Sequence, residues 1–159
     1  MDAQTYRNRI ETAVLDADYE PISDESTGEF DPVWHKQTED PTIGVTEVFV
    51  TVIDSEGTDE EILTETSEAF RRQLSEMTPS EPSTMENLFG YVVFAVSEPS
   101  EELIQFATEE YTVADRRTSV FPLLYDLENE TLHRHPVPRL KGRGFYEKQK
   151  LDAESLFSL

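Results

Sequence analysis

The densest positive charge in the chain lies between residues 134 and 150. Six basic residues and one acid give this stretch a formal charge of +5, and they leave −26 on the remainder of a chain whose total is −21. Charge of one sign concentrated on a protein of the other sign is typical of a surface that attracts oppositely charged ligands. The stretch therefore predicts a site for an acidic protein partner or a small anion.

Within this stretch, Lys141-Gly142-Arg143-Gly144 precedes a predicted helix. Glycines leave backbone amides accessible, the start of a helix favours negative charge, and lysine and arginine supply matching charge. This pattern lacks the spacing of a nucleotide-binding phosphate loop. A competing interpretation is that the basic side chains pair with the protein's own carboxylates and that the glycines form turns. The predicted anion- or partner-binding residues are Arg139, Lys141, Gly142, Arg143, Gly144 and Lys148.

Two histidines form a second candidate site. His133 and His135 alternate along a predicted strand, so both rings are expected on one face, where a third ligand would complete a metal site. The third ligand would be Asp126 across a hairpin, Glu128 or His35. The competing interpretation is an exposed face of an edge hairpin.

A related hypothesis places a site at the carboxyl ends of the predicted parallel strands. Asp54, Ser97 and Asp126 each follow a predicted strand, and ligands of open parallel sheets bind at that edge. Together with His133 and His135, the two aspartates would suit a small metal-dependent hydrolase or phosphodiesterase. The alternative is that Ser97 caps a helix and the aspartates form turns.

A nucleic-acid-binding protein is a third possibility, with Phe145 and Tyr146 stacking on bases beside the basic residues. Two physical arguments disfavour it. The remaining surface would repel phosphates, and affinity from counterion release falls as salt rises. The last predicted helix also needs these aromatics for its apolar face.

The amino-acid composition further narrows the possible classes of protein and site. The chain has no cysteine, which excludes disulfides, thiolate nucleophiles and cysteine-ligated metal sites. Its acidic surplus is typical of halophile proteins, whose surface repulsion is screened by molar salt. The sequence contains no apolar stretch long enough to cross a membrane and no leader-like start, so the expected location is the cytoplasm. No cofactor is predicted, because the usual nucleotide, hydrolase and zinc-protease motifs are absent.

Apolar periodicity predicts the elements that position these residues. The run Leu88–Val96 has the length and composition of a strand buried on both faces. Pro122 is expected at a sheet edge or a bulge, because proline cannot donate to a strand ladder. The predicted helices cover 2–18, 58–77, 97–111 and 145–157, and the predicted strands cover 30–34, 43–53, 88–96, 119–125 and 131–137.

Alternation of strands and helices after residue 43 favours right-handed crossovers. We predict one α/β domain over residues 1–159, with a mixed, mostly parallel sheet of about five strands and helices packed on both faces. The alternative is an α+β domain with helices on one face. Residues 19–28 and 78–87 are expected to be mobile loops. The favoured function is a non-catalytic binding or accessory module that uses the basic carboxyl-terminal segment.

Overall fold

The computed structural model describes residues 1–41, 43–54, 57–78, 87–115, 118–140 and 142–158. Seven strands and four α-helices are found among them. The strands are β1 (Glu20–Pro21), β2 (Val33–Asp40), β3 (Gly44–Asp54), β4 (Asn87–Val96), β5 (Ala114–Asp115), β6 (Thr118–Asp126) and β7 (Thr131–His133). The helices are α1 (Ala3–Asp16), α2 (Glu60–Met77), α3 (Glu101–Gln105) and α4 (Arg143–Asp152). Single π-helical turns extend the last two helices, over Phe106–Glu110 and Ala153–Phe157.

The strands form one mixed sheet in the order β1-β2-β3-β4-β6-β5, and β7 pairs with the end of β6. The three central strands, β3, β4 and β6, are parallel, as the strand–helix alternation predicted. The other four pairings among the described residues are antiparallel. The α/β prediction is therefore confirmed, although the sheet has more strands and more antiparallel pairing than expected.

Helices cover both faces of the sheet. Gly90 and Tyr91 are neighbours on β4, so their side-chain positions point to opposite faces. A Cβ on Gly90 would lie 3.0 Å from the Phe70 ring of α2. On the other face, Tyr91 packs against Phe157, with ring centroids 5.4 Å apart. The single-face α+β alternative is thus not observed.

Three of the four described α-helices start at a side-chain cap, whereas α4 follows Gly142, which has no capping side chain. Asp59 accepts a hydrogen bond from the Ile62 amide at 2.8 Å, one residue after the predicted start of this helix at Thr58. Ser100 accepts from the Leu103 amide at 3.1 Å, so α3 is capped by Ser100 and not by Ser97. Such caps satisfy amides that have no partner inside the helix.

The outer edge of β6 is only partly paired. β5 pairs with Thr118 and Ser119, and β7 pairs with residues 124–126, which leaves a gap between them. Pro122 lies in this gap, as expected of a residue without an amide donor. The last strand was predicted to run to residue 137, but β7 ends at His133. Residues 134–138, which we call the edge segment, follow it and pair with no strand in the described part of the chain.

Of the two segments predicted to be mobile loops, only residues 19–28 are described in full. Residues 19–28 contain β1 and a short 3-10 turn, Glu25–Thr27. Most of the second loop, residues 79–86, lies outside the described residues. In the described part of the chain, none of the helices combines the length and hydrophobicity needed to cross a bilayer.

Replacing Gly90 tests the close approach of α2 to the sheet. We expect Gly90→Ala to destabilise the fold by about 1–3 kcal/mol, because the added methyl group meets Phe70 at 3.0 Å and Leu74 at 3.3 Å. Urea unfolding in molar KCl measures the change. In a Phe70→Leu background the same substitution should cost less, since the ring that blocks the methyl group is gone. An equal cost in both backgrounds would contradict the packing argument.

Candidate functional site

Helix α4 presents two different faces. Positions three and four residues apart share a face of a helix, which fixes what each side of α4 offers. Its inward side carries buried Gln149 and, in the π-helical turn that follows, buried Ala153 and Leu156. The outward side and its continuation carry Arg143, Glu147, Lys150, Leu151 and Glu154, which are all exposed. The outward side is therefore charged, with one leucine among the charges.

A cavity of about 430 Å³ lies between this outward side and residues 137–139. We call it the basic groove. Val137, Pro138 and Leu151 give it apolar lining, while Arg139, Arg143 and Lys150 carry its positive charge. Glu147 and Glu154 also line it. Sequence reasoning named Arg139 and Arg143 but missed the apolar lining.

The positive charges of the groove are not equally available. Arg143 Nε donates to Glu147 Oε1 at 2.7 Å, an exposed pair one helical turn apart. Such exposed pairs contribute little to stability. Among the described residues, Arg139 and Lys150 have no ion-pair partner. These two cations are therefore the groups best placed to bind a carboxylate or another anion.

One buried side chain joins the two walls of the groove. Gln149 of α4 is fully buried, and its Oε1 accepts from the His135 amide at 2.9 Å. Its Nε2 donates to the carbonyl oxygens of His135 and Tyr146, both at 3.2 Å. Gln149 thus fixes the edge segment to α4 in the manner of a strand ladder. No sequence motif indicated this role, since a single glutamine in a predicted helix is unremarkable.

The imidazole of His135 fills the space between the edge segment and the sheet. It packs on Phe121 with ring centroids 5.8 Å apart and on Tyr146 at 6.0 Å. The residue is 3% exposed, and neither ring nitrogen has a hydrogen-bond partner among the described residues. Burial lowers the pKa of His135 to about 4, because the charged form would lose its hydration. Glu109 is the carboxylate that lines the adjacent cleft of about 270 Å³.

The remaining predicted anion-binding residues have other environments. Lys148 lies beside Asp152, with Nζ and Oδ2 3.3 Å apart, and its side chain is 11% exposed. Asp152 also accepts from the hydroxyl of buried Tyr91 at 2.6 Å, so this pair faces the sheet and not the groove. Gly142 has φ 77° and precedes α4 as its N-terminal cap, while Gly144 lies in the first helical turn. Lys141 lies outside the described residues.

Asp126, one of the predicted metal ligands, accepts hydrogen bonds within its own turn. Its carboxylate accepts from the amides of Glu98, Glu128 and Asn129 and from the Asn129 side chain, at 2.8–3.2 Å. Burial alone would raise the pKa of Asp126, but these hydrogen bonds outweigh it and hold the pKa below its usual value. The turn-forming interpretation of this residue therefore describes its contacts.

The other predicted metal ligands are not brought together. His133 pairs with Leu124, whereas His135 packs on Phe121, and side chains three residues apart on a strand point to opposite faces. The shared face expected for the two imidazoles is thus not formed. Asp54 ends β3, separated from β6 by β4. No group of three or more histidine or acidic side chains in the described ranges could hold a metal ion.

A polar cluster on β2 and β3 was not predicted as a unit. Glu47 is fully buried; it contacts the His35 imidazole, and the Gln37 side chain donates to it at 2.7 Å. In the β2–β3 ladder Glu47 lies opposite Gln37, and His35 lies two positions along the same face. A buried carboxylate of this kind is stabilised by donors. Only the strand register brings these three side chains together.

Comparisons with protein-family models, with curated proteins and with solved structures gave no match.

Gln149 provides the first test of the groove. We expect Gln149→Leu to lower the free energy of unfolding by about 2–4 kcal/mol, because it leaves the buried His135 amide without an acceptor. Urea unfolding in molar KCl measures this effect. Gln105→Leu, at an exposed position of α3, is the control and should change stability by less than about 0.5 kcal/mol. Similar values for the two variants would show that Gln149 does not hold the edge segment.

His135 predicts a pH dependence of stability. The folded state favours the neutral ring, with a pKa of about 4, against 6.5 in the unfolded chain. Its contribution is therefore complete above about pH 6.5 and is lost as the pH falls toward about 4, by up to about 3 kcal/mol. Other groups titrate in this range, so the relevant quantity is the difference between wild type and His135→Phe. The free energy of unfolding of His135→Phe, taken relative to wild type, should therefore increase as the pH falls.

The control for this titration is Leu132→Ala on β7, a half-buried position. Because this substitution removes no titratable group, its difference from wild type should change little over the same pH range. Urea unfolding at several pH values gives both differences. A pH-independent difference for His135→Phe would contradict the burial of a neutral imidazole.

Proposed function

We propose that this protein is a non-catalytic binding module of a halophile, and that its basic groove binds an acidic protein partner or a small anion. The observation that supports this function most is the position of Arg139 and Lys150. Both are exposed cations at a formed groove, and neither has an ion-pair partner among the described residues. The proposal keeps Arg139 and Arg143 as binding residues and adds Lys150.

Charge distribution supports the same proposal. The segment that builds the groove carries +5, while the rest of the chain carries −26. An approaching anion is repelled by most of the surface and attracted by this part of it, which orients the encounter. Salt weakens this steering, since the Debye length is only about 3 Å at molar ionic strength. Affinity in such a solution depends on direct contacts in the groove.

Aromatic packing favours this proposal over the nucleic-acid alternative. Phe145 packs on Phe89 and Tyr146 on Phe121, with ring centroids 5.5 and 5.4 Å apart. Both rings are half-buried, so they serve the core and do not form an open stacking platform. The groove offers cations without aromatic faces for bases, an arrangement better suited to carboxylates.

Charge reversal tests the groove. We expect the midpoint temperature of thermal unfolding in molar KCl to rise when hexaglutamate peptide or inorganic phosphate is added. At a hundred times the dissociation constant, the shift should be about 5–10 °C. Arg139→Glu combined with Lys150→Glu should weaken binding at least about tenfold, because an attractive contact becomes a repulsive one.

The control is Arg9→Glu combined with Arg72→Glu, two exposed arginines on α1 and α2. This pair changes the net charge by the same amount but lies outside the groove, so it should leave the groove contacts unchanged. Titration calorimetry on both double variants measures the dissociation constants. Equal weakening by both would mean that net charge, and not the groove, governs binding.

A further inference from the structure

Of the two most exposed large hydrophobic side chains among the described residues, Leu151 lines the basic groove and Leu140 is next in sequence to a groove residue. Leu140 is 89% exposed and Leu151 is 65% exposed. Leu140 follows Arg139, and its carbonyl accepts from the Arg143 amide at 3.3 Å, which places it at the start of α4. Single exposed leucines are common on protein surfaces, but apolar side chains beside a polar groove are typical of protein-binding sites.

The two leucines lie toward opposite ends of helix α4. Arg143, beside the Leu140 carbonyl, and Leu151 are eight residues apart on α4, or about 12 Å along the helix axis. An extended peptide of about four residues spans that length. Between these points the lining includes Arg143, paired with Glu147, and Lys150, which has no ion-pair partner in the described part of the chain, so apolar and positive groups occur together along one short surface. A small anion would contact the cations but would leave both leucines exposed.

Salt gives a physical reason for such a surface. Attraction between exposed charges is screened at molar ionic strength, whereas burial of apolar surface is not. The gain from burying a leucine side chain grows with the apolar area removed from water. An acidic segment that also buries apolar side chains would therefore remain bound where a purely ionic ligand dissociates.

We propose that the basic groove binds an acidic protein segment whose apolar side chains contact Leu140 and Leu151 while its carboxylates pair with Arg139 and Lys150. This inference rests on the proposed function and adds the class of partner. It excludes a small anion as the main ligand. Charge complementarity selects an acidic partner, and the exposed leucines select a polypeptide.

The test compares two fluorescein-labelled acidic peptides by fluorescence anisotropy. One contains two leucines about four positions apart in the sequence, which matches the span of about 12 Å along α4. The other has serine in place of both. In molar KCl the leucine peptide should bind at least about tenfold more tightly than the serine peptide. Leu140→Ser combined with Leu151→Ser should abolish this preference. Leu15→Ser, at an exposed position on α1, is the control and should preserve it.

The outcomes separate this inference from the function on which it rests. Equal binding of both peptides, with loss of binding only in the Arg139→Glu and Lys150→Glu variant, would overturn the leucine contact and keep the anion site. Absence of peptide binding would overturn this inference, and absence of phosphate binding as well would overturn the proposed function. Binding unaffected by charge reversal would overturn both. Tighter binding of a single-stranded oligonucleotide would also overturn the inference. So would leucine-dependent self-association in sedimentation, since the occupant would then be a second copy.

Discussion

The partly open edge of β6 is the constraint on which this part of the molecule depends. Backbone groups at a sheet edge need a partner or a cover, and β5 and β7 pair only with the ends of the strand. Pro122 removes one donor from the gap between them. Next to the gap, the His135 imidazole packs on Phe121 and Gln149 fixes the backbone of the edge segment to α4. The basic groove exists because the edge segment and α4 are held side by side.

The contact between these two elements contains one satisfied and one unsatisfied polar side chain. Gln149 is fully buried and hydrogen-bonded on both its oxygen and its nitrogen. The imidazole of His135 is almost as buried, but its nitrogens have no hydrogen-bond partner in the described ranges. A buried amide that satisfies backbone groups specifies one arrangement of its neighbours, whereas a buried imidazole without partners favours the neutral form. The first fixes the geometry of the groove, and the second makes it sensitive to acid.

Two scales of electrostatics operate on this protein. Over long distances, a charge of −26 surrounds a segment of +5, and salt reduces this effect strongly. Over short distances, Arg143 pairs with Glu147, and Lys148 pairs with Asp152 against the hydroxyl of Tyr91. These contacts leave Arg139 and Lys150 as the groove cations without an ion-pair partner among the described residues. Local pairing, more than total charge, thus determines which basic residues of the groove remain unpaired.

The sequence by itself determined the properties that depend on local pattern. The long apolar runs placed the three central parallel strands, the helical periodicity placed α1 and α2, and the charge count located the basic segment. The α/β class and the coverage of both sheet faces followed from that alternation. Strand ends and helix caps were predicted less accurately. The last strand ends at His133 and not at residue 137, and α3 is capped by Ser100 and not by Ser97.

Only the tertiary structure decided which side chains meet. Lys148 and Lys150 are equivalent in a charge count, yet helical phase turns Lys148 toward Asp152 and Lys150 toward the groove. His133 and His135 were predicted to share one face of a strand, but β7 ends at His133 and the shared face is not formed. Glu47 meets His35 and Gln37 through strand register. The reason is physical: charge and periodicity are properties of neighbouring residues, whereas contacts between distant elements depend on register, crossover and packing of the whole chain.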